Sequence, residues 1–183
     1  MPIQIREATT MNADAIAEVH VTTWRAAYQG ILPAAYLDSL SVGIRADRWY
    51  RSLVAGQPRV LVADVDGAIV GWIAFGPCRD ADKDASWGEV EALYVLPAYW
   101  GNGVGRRLME CARRKLTEAG YTDVLLWVLA ENGRARAFYS QVGFENDGTS
   151  RGIEIARAPL IEVRYSCALV GPWEAASAIM LGL

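Results

Sequence analysis

The sequence predicts a mixed α/β domain in which antiparallel strands lead into a central β–α–β unit. Three observations carry this expectation. Two β-like runs, Arg59 to Val65 and Ala68 to Phe75, flank Asp66-Gly67, a strong two-residue hairpin signal. A glycine-rich segment at 101–105 separates a strand-like run from an amphipathic helix. Beyond that helix Thr122 to Leu129 (TDVLLWVL) is apolar almost throughout, the pattern of a strand buried on both faces.

Taken in order, residues 2–8 alternate and form a first strand. Thr10 or Asn12 caps a helix in which Ile16, Val19, Thr23 and Ala27 recur at helical spacing, and Gly30 ends it. Pro33 starts a short helix with Tyr36, Leu37 and Leu40 on its apolar face. A further helix runs from Ile44 to Leu53. After the hairpin comes a loop with Asp80, Asp82, Lys83 and Asp84, then a strand over 88–95 closed by Pro97. The next helix carries Val104, Leu108, Cys111, Ala112, Leu116 and Ala119 on one face and stops at Gly120. Asn132 caps a helix through Gln141, and two strands follow near 152–157 and 160–169.

The chain of 183 residues and 20.0 kDa fits one domain, expected over 1–170. A tail, 171–183, either docks in the core, serves a dimer interface, or is disordered. The formal charge of −3 argues against a nucleic-acid partner. With 52% hydrophobic residues the chain can fill a core. Three cysteines (Cys78, Cys111, Cys167) without paired spacing and one histidine, His20, argue against a zinc site. Reduced, mostly buried thiols, no apolar leader and no membrane-spanning run point to the cytoplasm.

The segment Trp100-Gly101-Asn102-Gly103-Val104-Gly105-Arg106 is the feature with most chemistry. Glycines let main-chain N–H groups converge, and the helix start adds partial positive charge, so the loop suits a phosphate. A tight turn with no ligand is the plainer reading. Neither a dinucleotide fingerprint nor a P-loop fits, because Arg106 takes the third glycine's place and no Gly-Lys-Ser/Thr is present. Arg106 and Arg107 in the first helical turn oppose the helix dipole; either an anion offsets them or they point to solvent.

Residues 88–105, followed by Asn132-Gly133-Arg134-Ala135-Arg136-Ala137-Phe138-Tyr139-Ser140-Gln141-Val142-Gly143-Phe144, resemble the GNAT superfamily of acyl-CoA-dependent N-acetyltransferases. The first block is similar to its (Q/R)-x-x-G-x-(G/A) loop and the second to its N-x-x-A-x-x-(F/L)-Y-x-x-x-G-F segment. Trp24 to Pro33 is also similar to many bacterial members. The resemblance covers about residues 3–169 and implies a mixed, mostly antiparallel sheet of about seven strands with four or five helices. Trp100 departs from the family's Gln or Arg, so the polar contact of that side chain is expected to be lost.

The resemblance implies acetyl-CoA as co-substrate, with no metal, lying between the strands at 88–95 and 122–129. Leu93, Tyr94 and Val95 would flank its pantetheine arm, with main-chain groups offered by Leu93 and Val95. Trp100, Gly101, Asn102, Gly103, Val104, Gly105 and Arg106 would surround the diphosphate. Asn132 would reach the arm, or serve only as a cap. The implied activity is direct acetyl transfer to a primary amine of a small molecule, amino acid or peptide N-terminus. An alkyl amine of pKa near ~10 needs a base. Glu89 and Glu91, two apart in a strand, project from one face and are the candidates, Glu89 first because it matches the base of the family's histone-acetylating branch; facing solvent or pairing with a surface Lys or Arg is the alternative. Tyr139 matches the family's acid for the leaving thiolate, or is a packed aromatic. Trp24, Tyr28, Trp49, Trp72 and Trp87 either line the acceptor pocket or build the core. Asp80, Asp82 and Asp84 attract a cation or form a solvated loop, and His20 is expected to be structural or on the surface. A sensor that binds acyl-CoA without turnover and transfer of another acyl group are the competing readings. A homodimer is compatible with both.

Overall fold

The computed structural model describes residues 2–169; the tail at 171–183 lies outside them. Among the described residues seven strands and five α-helices follow one another: β1 (Ile3–Glu7), α1 (Ala13–Ala27), α2 (Ala34–Asp38), α3 (Val42–Ala55), β2 (Arg59–Val65), β3 (Ala68–Pro77), β4 (Trp87–Val95), α4 (Val104–Glu118), β5 (Asp123–Leu129), α5 (Gly133–Gln141), β6 (Glu145–Ile155) and β7 (Ala158–Ala168). They build one sheet in the order β1-β2-β3-β4-β5-β7-β6. Only β4 and β5, joined through α4, run parallel; every other neighbouring pair is antiparallel.

Local chemistry explains most boundaries. Ser41 Oγ accepts the N–H of Ile44 at 3.3 Å, opening α3. Asn132 Oδ1 accepts the N–H of Ala135 at 3.1 Å, opening α5. α1 stops at Ala27, earlier than the Gly30 end expected, because Tyr28 already leaves helical geometry. The larger departure is β6, which begins at Glu145 rather than near 152. Its first half (ENDGTSR) is polar and mostly exposed, so no alternation marks it as a strand. It exists because β7 pairs with it, across an irregularity between Asn146 and Ser150. An edge strand needs no apolar face to hold its register when its neighbour supplies the hydrogen bonds.

The period-2 alternation of the strands divides the core between two layers. Val60, Val62, Trp72 and Ala74 face Ile16 and Val19 of α1. Leu61, Ala63, Ile73, Phe75, Val90, Val124, Leu126 and Val128 face α4 through Val104, Leu108, Met109, Ala112 and Leu116. Trp72 is fully buried and donates its Nε1–H to the carbonyl of Ile16 at 3.0 Å, tying β3 to α1. Trp72→Phe removes that bond and part of the ring volume, and is expected to lower unfolding stability by about 2 kcal/mol, read from denaturant midpoints. No helix among the described residues is long and apolar enough to cross a membrane.

Candidate active site

The site begins with a defect in the sheet. β4 pairs with β5 only over Trp87 to Val90, against Asp123 to Leu126. Beyond Val90 the two strands part. The cause lies on the other edge of β4: Ala92 opposes Ala74 and Val90 opposes Phe75, so Glu91 is an extra residue, a β-bulge. A bulge bends its strand and increases its twist, which carries Leu93 to Val95 away from β5. Leu96 N–H bonds to the Val70 carbonyl at 2.9 Å. Main-chain groups alternate between neighbours along an antiparallel strand, so those of Leu93 and Val95 turn toward the gap. The Val95 carbonyl is already held twice, by Thr23 Oγ1–H at 3.1 Å and Trp100 Nε1–H at 2.7 Å. Trp100 therefore does make a polar contact, contrary to the expected loss, and it leaves Val95 only its N–H to offer.

The gap opens into a cleft of about 590 Å³. At one end stands the glycine loop. Gly101 (φ +78°) and Gly103 (φ +79°) hold the left-handed backbone that favours glycine, and a Cβ on either would meet nothing within 4 Å. The first helical bond of α4 runs from Arg107 N–H to the Gly103 carbonyl, so the N–H groups of Val104, Gly105 and Arg106 precede the helical ladder. No side chain caps them and the first turn has no acid. Uncapped donors, the helix dipole and open space in front of the loop fit a phosphate. Gly105 serves packing instead. A Cβ there would meet the Phe138 ring at 3.3 Å, so its absence lets α4 and α5 approach.

Leu93, Tyr94, Val95, Trp100, Gly101, Gly103, Val104, Gly105, Arg106, Asn132 and Tyr139 all line this cleft, with Glu91. Asn102 and Glu89 do not. Glu89 is buried and its carboxylate is held by Arg79, at 2.6 Å from Nη2 and 2.9 Å from Nε, with the Arg79 N–H adding a third bond at 3.1 Å. Glu91 Oε2 takes Nη1 of the same guanidinium at 3.0 Å. Both carboxylates thus lie on one side of β4, and both have the cation partner that the plainer reading anticipated. Burial pushes the Glu91 carboxyl above its ordinary range; the neighbouring Glu89 charge adds to the push and Arg79 opposes it.

The family model described as "Acetyltransferase (GNAT) family" matches residues 16–144. An uncharacterized N-acetyltransferase of Bacillus subtilis, YuaI, is 34% identical over 131 residues, covering 71% of this chain and 73% of that protein. A probable N-acetyltransferase of Mycobacterium tuberculosis is 32% identical over 148 residues, covering 80% of this chain and 82% of the relative. The chain belongs to the GNAT acetyltransferase family. The PaiA N-acetyltransferase of Thermoplasma acidophilum, solved in complex with coenzyme A, has the same fold, with a TM-score of 0.72 at 22% identity over 92% of this chain and 99% of the other.

In this acetyltransferase Tyr139 is buried on α5, its ring packed by Phe138, Phe144 and Tyr165. Burial, with a smaller contribution from Tyr94, raises its phenol well above the usual range, so it stays protonated. Of the five aromatics considered for an acceptor pocket, Trp24 and Tyr28 line the cleft. Trp49 and Trp72 belong to the α1-side core, and Trp87 lies at a separate depression beside Asp123 and Asn146. His20 is buried among Trp24, Trp49, Trp72 and Tyr94 and accepts Trp49 Nε1–H at 3.4 Å. Desolvation, with Arg45 repulsion behind it, lowers its pKa to about 3. It is a neutral core residue outside the cleft.

The acidic loop is not simply solvated. Buried Arg164 holds Asp80 at 2.9 Å, Asp82 at 2.8 Å and Asp147 at 2.6 Å, clamping the β3–β4 loop to the β6–β7 hairpin. Asp84 instead closes a local turn with Ser86. The three cysteines are free thiols of intermediate burial. Among the described residues no group of three or more His, Cys, Asp or Glu forms a metal site.

Sequence reasoning missed Trp127 and Arg134. Trp127 lines the cleft from β5 and donates Nε1–H to Asp80 at 3.1 Å, with Arg151 stacked 4.0 Å from its ring centre. Arg134, in the first turn of α5, stacks 4.2 Å from the Trp100 ring centre and lines the cleft. An arginine in the acid-free first turn of a second helix was the available signal.

Proposed function

We propose that this chain transfers the acetyl group of acetyl-CoA directly to a primary amine. The observation that carries the reading is the parting of β4 and β5 at the Glu91 bulge, which gives one cleft both the uncapped α4 start and the Glu91–Tyr139 pair. Acetyl-CoA, when bound, supplies an activated thioester; the Thermoplasma neighbour, solved with coenzyme A, supports that choice. The N–H groups of Val104, Gly105 and Arg106, with the guanidiniums of Arg106 and Arg134, would hold its phosphates.

Glu91 accepts the amine's proton, directly or through water, and its raised pKa suits a base working near neutral pH. The nitrogen lone pair then forms the N–C bond as the C–S bond breaks. Val95 N–H meets the negative charge gathering on the carbonyl oxygen. Tyr139 gives its proton to the departing sulfur. Nitrogen gives up two protons, one to Glu91 before attack and a second, as the amide forms, through water to the Tyr139 phenolate; Glu91 then releases its proton to solvent, so one proton leaves per turnover. No Cys, Ser, His or Lys among the described residues lines the cleft, which supports direct transfer over an acyl-enzyme route.

Titration calorimetry with coenzyme A and thiol release from acetyl-CoA test the reading. Binding and amine-dependent release are expected; folded protein giving no heat with coenzyme A overturns it. Binding with no release for any amine would favour the sensor. Arg134→Ala removes a charged phosphate contact and is expected to weaken coenzyme A binding about tenfold. Pantetheine, which lacks those phosphates, should bind the variant as it binds the parent.

A further inference from the structure

We infer that the acceptor is an amine carried on an apolar or aromatic body that bears no carboxylate; the inference rests on the acetyl-transfer reading. Charge is segregated along the cleft. Among the described residues the lining cations are Arg106 and Arg134, both in the first turns of α4 and α5. The lining acids are Glu91 and Glu162, at the other side of the sheet.

Strand parity explains the segregation. Val124, Leu126 and Val128 of β5 face α4, so Trp127 and Leu129 face the α1 side. Glu162 sits opposite Leu129 in the β5–β7 ladder and shares that face. On β4, Tyr94 packs with the α1-side core. α1 adds Trp24 and Tyr28, which meet edge to face with ring centres 5.1 Å apart. The acceptor half is thus an aromatic wall of Trp24, Tyr28, Tyr94 and Trp127 with two carboxylates set in it.

An ammonium gains there from the aromatic faces and shares Glu91 and Glu162 with the arginines they already hold, at 3.0 and 2.8 Å. Among the described residues a carboxylate on the acceptor would find no cation lining the aromatic half of the cleft, since Arg106 and Arg134 stand at the starts of α4 and α5. Arg79 is held by Glu89 and Glu91, and Arg151 by Glu162 at 2.8 Å. Arg164 is held by three aspartates. Arg45 stacks over Trp24 at 5.2 Å without lining the cleft. Burying an unpaired carboxylate beside Glu91 and Glu162 is strongly unfavourable.

The test measures thiol release from acetyl-CoA with phenethylamine, phenylalanine amide, phenylalanine and spermidine. Phenethylamine and phenylalanine differ only by the carboxylate, and phenylalanine amide masks it. The expected result is kcat/KM for phenethylamine and for the amide at least about tenfold above that for phenylalanine. Glu162→Gln should raise KM for phenethylamine about tenfold while leaving coenzyme A affinity, read by calorimetry, unchanged. Phenylalanine turned over as well as phenethylamine overturns the inference and leaves acetyl transfer standing. Release with spermidine alone overturns the apolar body. Coenzyme A binding without release from any of the four overturns the inference and the transfer reading together.

Discussion

Tyr139→Phe is expected to lower kcat about 100-fold or more while KM for acetyl-CoA stays within about twofold. The substitution deletes one oxygen from a ring packed by Phe138, Phe144 and Tyr165, so the fold and the cleft wall remain. Under the proposed mechanism, what disappears is the proton for the departing sulfur. Because desolvation holds the phenol protonated well above neutral pH, Tyr139 is charged neither in the resting cleft nor as an amine approaches. In the proposed transfer it serves as an acid, once negative charge has reached sulfur. Steady-state kinetics decides the matter: turnover equal to that of the parent removes Tyr139 from the reaction.

Glu91→Gln is expected to cost a similar factor in kcat and to abolish the acidic limb of the pH profile. The sign follows from burial, which raises the Glu91 pKa. A base must be ionised to accept a proton, so activity in the parent rises as pH climbs through that raised value. The amide cannot ionise, and the limb vanishes. Arg79 remains held by Glu89, which protects the local structure. Glu89→Gln supplies the contrast. It removes the like charge that helps raise Glu91, so the acidic limb should move to lower pH with kcat largely retained. A profile whose acidic limb survives in Glu91→Gln and disappears in Glu89→Gln would transfer the base to Glu89.

Much of the site was legible because its signals are local. The glycines at 101 and 103 need only their own backbone angles, and Asn132 caps its helix through a bond to Ala135, close by in the chain. The apolar spacing of α4 places its buried face without reference to the sheet. Glu91 against Glu89 was not legible. Which carboxylate lines the cleft depends on a bulge in β4, and the segment Gly88 to Val95 carries no residue that marks one. The roles of Arg79, Arg151 and Arg164 were hidden for a related reason: each meets carboxylates brought to it by another strand or loop. Trp127 read as a buried-strand residue because nothing in its own segment says that β4 turns away beside it.

The amino-acid sequence by itself determined the order of elements, the β–α–β unit, the anion-ready start of α4 and the family. These follow from backbone preferences and from periodic burial, which act over a few residues. Only the tertiary structure decided where the sheet opens, which acid stands in the opening, and which arginines and carboxylates line it. Those outcomes depend on strand register, and register is set by the neighbours a strand meets across space.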